Sequence, residues 1–219
     1  MRNAYFDQLD AIVGDLVAMT QDVQQAVGRA THALLTADGH IADQVVAGDA
    51  KIDAMRELVE DRAFELLALQ QPVAGDLRML VAALRMVTDL ERMGDLSVHV
   101  AKVAQLRMPE MAVPAEMVPT VKRMAEVAVH MVGGAAEVIA ERDVDAARML
   151  ERDDEEMDEL RKHSFRMMLG DSWTHGVEPA IDIALLGRYY ERIADHAVSL
   201  ARRVVYLVTG EAPTPPVDV

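Results

Sequence analysis

Two short stretches of the chain carry acidic pairs at a spacing that could bind a cation. They read ERMGDLSVHVA, beginning at Glu91, and ERIADHAVSLA, beginning at Glu191. In each stretch an Asp follows the Glu by four residues, which places both side chains on one face of an α-helix. Stacked carboxylates supply the oxygen ligands that hard metal ions prefer. The candidate metal ligands in these motifs are therefore Glu91, Asp95, Glu191 and Asp195.

A second acidic pair precedes each motif. The segment VVAGDAKID aligns with MLERDDEEMD when one inserted residue is allowed. This alignment matches Asp49 with Asp154 and Asp53 with Asp158, and both pairs again have the four-residue spacing. The chain therefore contains an internal repeat that duplicates two acidic pairs.

The duplicated pairs are expected to meet in two helical hairpins. Residues that are equally distant in sequence from the turn of an antiparallel hairpin lie at the same height. The acidic residues of the first half are equidistant from Pro72, and those of the second half from the middle of the turn GDSWTHG. If the two helix faces are turned towards each other, four carboxylates share one patch in each half: Asp49, Asp53, Glu91 and Asp95, and then Asp154, Asp158, Glu191 and Asp195.

Four ionised carboxylates in one patch repel one another and require compensation. Protonation, a bound cation or a basic partner would supply it, and the nearby arginines are Arg56, Arg92, Arg161 and Arg192. The chain has no cysteine, so all-oxygen ligation of a divalent or trivalent ion such as Mg²⁺, Mn²⁺ or iron is favoured, and zinc is less favoured. A single acidic pair is also common on a solvated helix face. The duplication and the matched heights favour metal binding.

The composition is that of an acidic helical protein. Of the 219 residues, 51% are hydrophobic but only 4% are aromatic, which suits helices better than sheets. The formal net charge of -15 argues against a nucleic-acid partner, because such binding depends on Lys and Arg. No apolar run approaches the ~20 residues that span a bilayer, and no signal peptide is recognisable. We expect a cytoplasmic protein without direct membrane insertion.

Apolar residues at the helical period predict an all-α fold of two tandem antiparallel three-helix bundles. The predicted helices cover about residues 5–35, 41–69, 76–107, 118–140, 144–169 and 179–208. Gly39 is expected to stop the first helix and Pro72 the second, and Asp76 or a neighbour to cap the third. The corresponding divisions are a first repeat at 1–108, a Pro-rich linker at 109–119, a second repeat at 120–209 and a disordered tail at 210–219.

The third predicted helix has an apolar row that continues into its acidic pair. On this prediction the carboxylates lie at the edge of the packed face, not on the fully solvated side. The predicted inner row consists of Leu77, Val81, Leu84, Thr88, Glu91, Asp95 and Val98.

The two acidic motifs, each on the third helix of a repeat, resemble the paired signature of the PhoU family. The segment QPVAGDLRMLVAAL before the first motif is also typical of that family, whereas GVEPAID stands at the equivalent place in the second half. The resemblance covers about residues 5–208. It implies metal binding at the acidic motifs, for which Glu91 with Asp95 and Glu191 with Asp195 match by position, and a homodimer.

The resemblance also implies a function. PhoU-like proteins resemble cytoplasmic adaptors that connect a phosphate ABC transporter to a membrane sensor histidine kinase. They keep the phosphate-starvation response off when phosphate is plentiful, which implies peripheral recruitment to the inner face of the membrane. A negative regulator of this kind is not an enzyme.

Two alternatives remain open from the sequence. A carboxylate-bridged di-iron oxidase typically takes Glu-x-x-His pairs from two helices, and no Glu in this chain has a His three residues later. The second alternative is a purely structural helical protein or a metal-storage protein. The sequence shows no nucleophile grouping, Gly-rich phosphate loop or dinucleotide fingerprint, so we expect no catalytic residues.

Overall fold

The computed structural model describes residues 2–211, with side chains from residue 5 onwards. Within this part of the chain every regular element is a helix, as predicted. Most of the predicted disordered tail lies outside the described residues. The six helices are α1 Arg2–Thr36, α2 Gly39–Gln70, α3 Ala74–Arg107, α4 Val118–Glu141, α5 Val144–Met168 and α6 Val177–Thr209.

The turn between α1 and α2 corrects one prediction. Gly39 does not stop α1 but begins α2. The turn is made instead by Ala37, with a positive φ of 51°, and by Asp38, whose Oδ1 accepts a hydrogen bond from the Ile41 amide at 3.0 Å. Such side-chain caps stabilise a helix start by satisfying a free amide. The end of α2 agrees with the prediction, because Pro72 follows a left-handed Gln71 and cannot continue the helix.

The start of α3 corrects a second prediction. Val73 precedes the helix in an extended conformation, and no side chain caps it. Asp76 lies within the first turn, where it accepts a hydrogen bond from the Tyr5 hydroxyl at 3.2 Å. Its negative charge is still favourable there, because the first turn of a helix carries a partial positive charge.

The six helices pack as two three-helix bundles that share one core. Within each bundle all three helices contact one another, and the bundles meet through α1 against α4 and α3 against α6. The buried apolar side chains form one continuous cluster through both bundles. Over the part of the chain that the structure describes, none of the helices combines the length and apolarity needed to cross a bilayer.

Helices α3 and α6 run antiparallel across the boundary between the repeats. Arg107, at the end of α3, donates from Nε to Asp182 Oδ2 near the start of α6 at 2.6 Å. Arg203, near the end of α6, places Nη2 2.9 Å from Asp89 Oδ2. The α2–α3 turn and the α5–α6 turn therefore lie at opposite ends of the molecule.

The predicted inner row of α3 is wrong in its first half. Leu77 and Val81 are exposed, whereas Leu80, Met86 and Leu90 are buried. The error has a physical cause, because α3 contacts α1, α2 and α6 and is therefore apolar on most of its circumference. In this row Leu77, Val81 and Thr88 are exposed, whereas Leu84 is partly buried and packs against the core.

Candidate metal centre

The first candidate site lies on the α2–α3 hairpin. Asp49 and Asp53 come from α2, and Glu91 and Asp95 come from α3. Burial raises the pKa of Asp49, and the charges of Asp53, Asp95 and Glu91 raise it further, while Lys102 opposes the rise. The other three carboxylates of the first half are therefore near enough to act on Asp49. We call them the first carboxylate cluster.

The second candidate site repeats this arrangement on the α5–α6 hairpin. Burial, followed by the charges of Asp195, Asp158 and Glu191, raises the pKa of Asp154 to about 6, and Arg202 opposes the rise. These residues are the repeat equivalents of those around Asp49. Together Asp154, Asp158, Glu191 and Asp195 form the second carboxylate cluster.

A close approach of the helices brings Asp49 against α3. A Cβ added to Gly94 would lie 3.2 Å from Asp49 Oδ1 and 3.1 Å from Ile52 Cδ1. Contacts of this length are too tight to form without movement of the neighbour. The glycine of the ERMGD motif therefore leaves room for the carboxylate of Asp49 beside the α3 backbone.

Arginine compensates for the acidic charge most strongly in the second cluster. Glu191 is buried, accepts from Arg161 Nη1 at 2.9 Å and is also bound by Arg188. Arg188 was not singled out from the sequence, although it precedes Glu191 by three residues and so shares its helix face. Asp195 also has a raised pKa, because burial and Glu191 outweigh Arg188 and His196.

The other predicted arginine partners behave differently from one another. Arg92 lies 3.2 Å from Asp95 and 3.6 Å from Glu91, on the surface. Arg56 binds Glu60 at 3.0 Å and forms no ion pair with a member of the first cluster, although the charge of Glu91 acts on it. Among the described residues Arg192 forms no ion pair with a cluster.

Neither cluster is a closed metal site as it stands. Over residues 2–211, no three Asp, Glu or His side chains are grouped closely enough to hold an ion. The donors are nevertheless all carboxylates, on adjacent helices, and in each cluster the charges of the other three act on Asp49 or on Asp154. This donor set fits a hard cation. Side-chain rotation would have to bring the carboxylates together around it. Metal ligation by all eight residues stays a prediction.

Two segments of the chain match a known protein domain. The sequence model of the PhoU domain matches twice, over residues 16–104 and 121–204. The chain belongs to the PhoU family. Each match contains one complete carboxylate cluster, so the internal repeat is a tandem pair of PhoU domains.

Named relatives support the PhoU assignment along the whole chain. The phosphate-specific transport system accessory protein PhoU homolog 2 of Mycobacterium tuberculosis is 45% identical over 213 residues, which cover 97% of this chain and 100% of the relative. The PhoU homolog 1 of Mycobacterium leprae is also 45% identical, covering 97% of this chain and 96% of the relative.

Solved structures show the same PhoU fold. The crystal structure of PhoU from Pseudomonas aeruginosa aligns with a TM-score of 0.83 at 30% identity, covering 94% of this chain and 100% of that one. The structure of the regulatory protein PhoU from Streptococcus pneumoniae aligns with a TM-score of 0.85 at 24% identity, covering 98% and 100%. The second likeness concerns the fold alone.

Proposed function

We propose that this protein is a metal-binding adaptor of phosphate homeostasis, which links a phosphate ABC transporter to a sensor histidine kinase and represses the phosphate-starvation response. The proposal rests on one observation, the duplicated carboxylate cluster in a chain of the PhoU family. The relatives are accessory proteins of a phosphate-specific transport system, which supports a regulatory role without catalysis. Cytoplasmic residence and peripheral recruitment to the membrane belong to the same proposal.

The chain's own residues account for ion binding at each hairpin. A bound cation supplies the positive charge that lets four carboxylates ionise together. In the second cluster Arg161 and Arg188 orient Glu191, and in the first Gly94 leaves space for Asp49. Because each cluster joins two helices, ligation would fix the spacing of α2 from α3 and of α5 from α6.

Calorimetric titration of metal-stripped protein tests the binding step. We expect Mn²⁺, Mg²⁺ or Fe²⁺ to bind to the unmodified chain, and more weakly after Glu91→Ala with Asp95→Ala. Absence of binding at millimolar concentrations of these ions would contradict the metal-binding part of the proposal. The matched control replaces Glu137 and Glu141, an exposed acidic pair on α4 with the same spacing.

A phosphate-responsive reporter gene tests the regulatory step. We expect the Glu91→Ala, Asp95→Ala protein to fold but to leave the reporter active in phosphate-rich medium, while the Glu137, Glu141 control still represses it. Unchanged repression by a protein that has lost ion binding would show that repression does not depend on the metal. A storage protein would not affect the reporter at all.

A further inference from the structure

The two carboxylate clusters differ in how arginine binds their glutamates. In the second cluster Arg161 Nη1 donates to Glu191 Oε1 at 2.9 Å, and Arg188 Nη1 donates to the other oxygen, Oε2. The Glu191 side chain is only 11% exposed. Both oxygens of this buried carboxylate are therefore already bound by positively charged groups.

Glu91, the repeat equivalent of Glu191, is less tightly bound. Its Oε2 lies 3.6 Å from Arg92 Nε, which is longer than a hydrogen bond, and the same arginine lies 3.2 Å from Asp95. The side chain of Arg92 is 58% exposed, and an ion pair at such a position contributes little free energy. Arg56 is affected by the charge of Glu91 but forms no ion pair with it. Among the described residues Glu91 thus accepts no hydrogen bond from an arginine.

One cause of this difference lies on α2 and α5. The repeat alignment matches Arg56 with Arg161 and Glu60 with Phe165. In the first repeat Glu60 binds Arg56 at 3.0 Å. In the second repeat the Arg161 guanidinium lies over the Phe165 ring, 5.6 Å from its centre. Because the ring carries no carboxylate to compete for the arginine, Arg161 remains on Glu191.

A second cause lies on α3 and α6. The alignment that matches Glu91 with Glu191 places Thr88 at the position of Arg188. The Thr88 hydroxyl donates to the Leu84 carbonyl of its own helix at 3.1 Å and carries no charge. Arg188, in contrast, shares a helix face with Glu191, three residues further along. The first repeat therefore lacks the equivalent of Arg188.

We propose that the two hairpins bind cations in a fixed order, the first carboxylate cluster before the second, because Arg161 and Arg188 already occupy Glu191. This inference rests on the metal binding proposed above and adds a role for the two arginines. A cation at Glu191 would have to share the carboxylate with two positive charges or displace them. Since one hydrogen bond to a charged group changes an equilibrium about tenfold or more, we expect the two dissociation constants to differ by at least about that factor.

Variants that keep one complete cluster test the order of binding. Asp49→Ala with Asp53→Ala leaves only the second cluster complete, and the repeat-equivalent Asp154→Ala with Asp158→Ala leaves only the first. The four positions are exposed or partly exposed on helices, so circular dichroism should show an intact fold. In calorimetric titration we expect Mn²⁺ to bind about tenfold more tightly to the chain that keeps the first cluster.

Exchange of residues between the repeats tests the cause. In the chain that keeps the second cluster, Arg188→Thr should tighten Mn²⁺ binding about tenfold, because one oxygen of Glu191 is released. In the chain that keeps the first cluster, Thr88→Arg should weaken binding. The matched control is Arg192→Thr, which removes the same charge from an exposed position on α6 that forms no ion pair with a cluster.

Equal dissociation constants for the two one-cluster chains would overturn the proposed order. An effect of Arg188→Thr no larger than that of Arg192→Thr would overturn the assigned cause. In the unmodified chain, substoichiometric Mn²⁺ should broaden the nuclear magnetic resonance signals around Asp95 before those around Asp195, and the reverse sequence would also contradict the order. Absence of ion binding by the unmodified chain would instead contradict the proposed metal binding itself, and the order with it.

Discussion

At the scale of single residues, the carboxylate of Asp154 carries an electrostatic cost in the folded protein. Burial and three neighbouring acids raise its pKa from 3.8 to about 6. The folded state therefore holds a proton that the unfolded state has released between these two values. Stability is lost as the pH rises through this window, and the whole cost is present above about pH 6.

Replacing Asp154 by Asn should stabilise the metal-free protein at pH 7.5. We expect a gain of about 1–2 kcal/mol in the free energy of unfolding, because the full shift of the pKa is reduced by solvent screening at this partly exposed side chain. The gain should shrink as the pH falls from 6 towards 4. Urea unfolding in the presence of a chelator measures it.

The control for this prediction is Glu159→Gln, five residues further along α5, where the acid is exposed and paired with Lys162. A gain of equal size for both variants would indicate a general effect of net charge. A gain for Asp154→Asn that does not depend on pH would contradict the assigned cause.

Tyr190 offers a residue-scale prediction away from the clusters. Its hydroxyl is fully buried and lies 2.8 Å from Thr31 Oγ1, which itself donates to the Val27 carbonyl. Tyr190→Phe removes this bond without leaving the Thr31 donor unpaired, so we expect a loss of about 1 kcal/mol. Denaturant unfolding measures the loss, with Tyr189→Phe as the control on the same helix. An equal loss of unfolding free energy in the Tyr189→Phe control would contradict a role for the buried hydrogen bond.

The sequence located the acidic residues of the candidate site better than their partners. The repeat and the turn positions were enough to predict that Asp49 and Asp154 lie near the acidic residues of the next helix. The arginine partners depend on side-chain direction, which spacing alone does not fix. Arg161 and Arg188 bind Glu191, whereas Arg56, at the equivalent position in the first repeat, binds Glu60.

At the scale of helices, polar contacts hold α3 and α6 in register. Asp182 is almost fully buried and accepts from Arg107 at 2.6 and 3.1 Å. Further along the same pair, burial alone would raise the pKa of Asp89, but hydrogen bonds and charges from His196 and Arg203 hold it below its usual value. Neither contact has a copy at the equivalent repeat position. The two contacts therefore favour a single register of α3 against α6, although the two helices have similar sequences.

Removing the carboxylate of Asp182 should weaken the contact between the repeats. Asp182→Ala leaves Arg107 without its buried partner, so we expect a clearly lower urea midpoint than for the unmodified chain. Glu178→Gln is the matched control, because Glu178 binds the same arginine from an exposed position. Equal midpoints for the two variants would show that burial of the ion pair is unimportant.

Helix positions were predictable from the sequence, but their orientations were less so. Proline and glycine mark the turns, and the apolar period marks the helices, so all six were placed within a few residues. The face of α3 was not predictable in the same way, because the rows through Leu77 and through Leu80 are both apolar. Only the packing of α1, α2 and α6 determines that Leu80 is buried and Leu77 is not.

At the scale of the whole molecule, the two repeats share one core. The cluster of buried apolar residues runs from α1 through α6 without interruption. Separating the bundles would expose the apolar surfaces between α1 and α4 and between α3 and α6. The repeats are therefore expected to stabilise each other and to unfold together.

Coincident unfolding transitions would test this coupling. The only tryptophan, Trp173, reports on the second repeat, whereas circular dichroism reports on all helices. We expect the two signals to follow one urea transition with the same midpoint and slope. A fluorescence transition that precedes or follows the loss of helicity would show that the repeats unfold separately.

The opposed direction of the two hairpins limits how any partners could communicate. Helix α3 has 34 residues and is about 50 Å long at 1.5 Å per residue. The contact points of proteins held at opposite tips would be separated by about this length, so the helical body would act as a spacer between them. Binding at one tip could affect the other tip only through a change in how the long helices pack against each other.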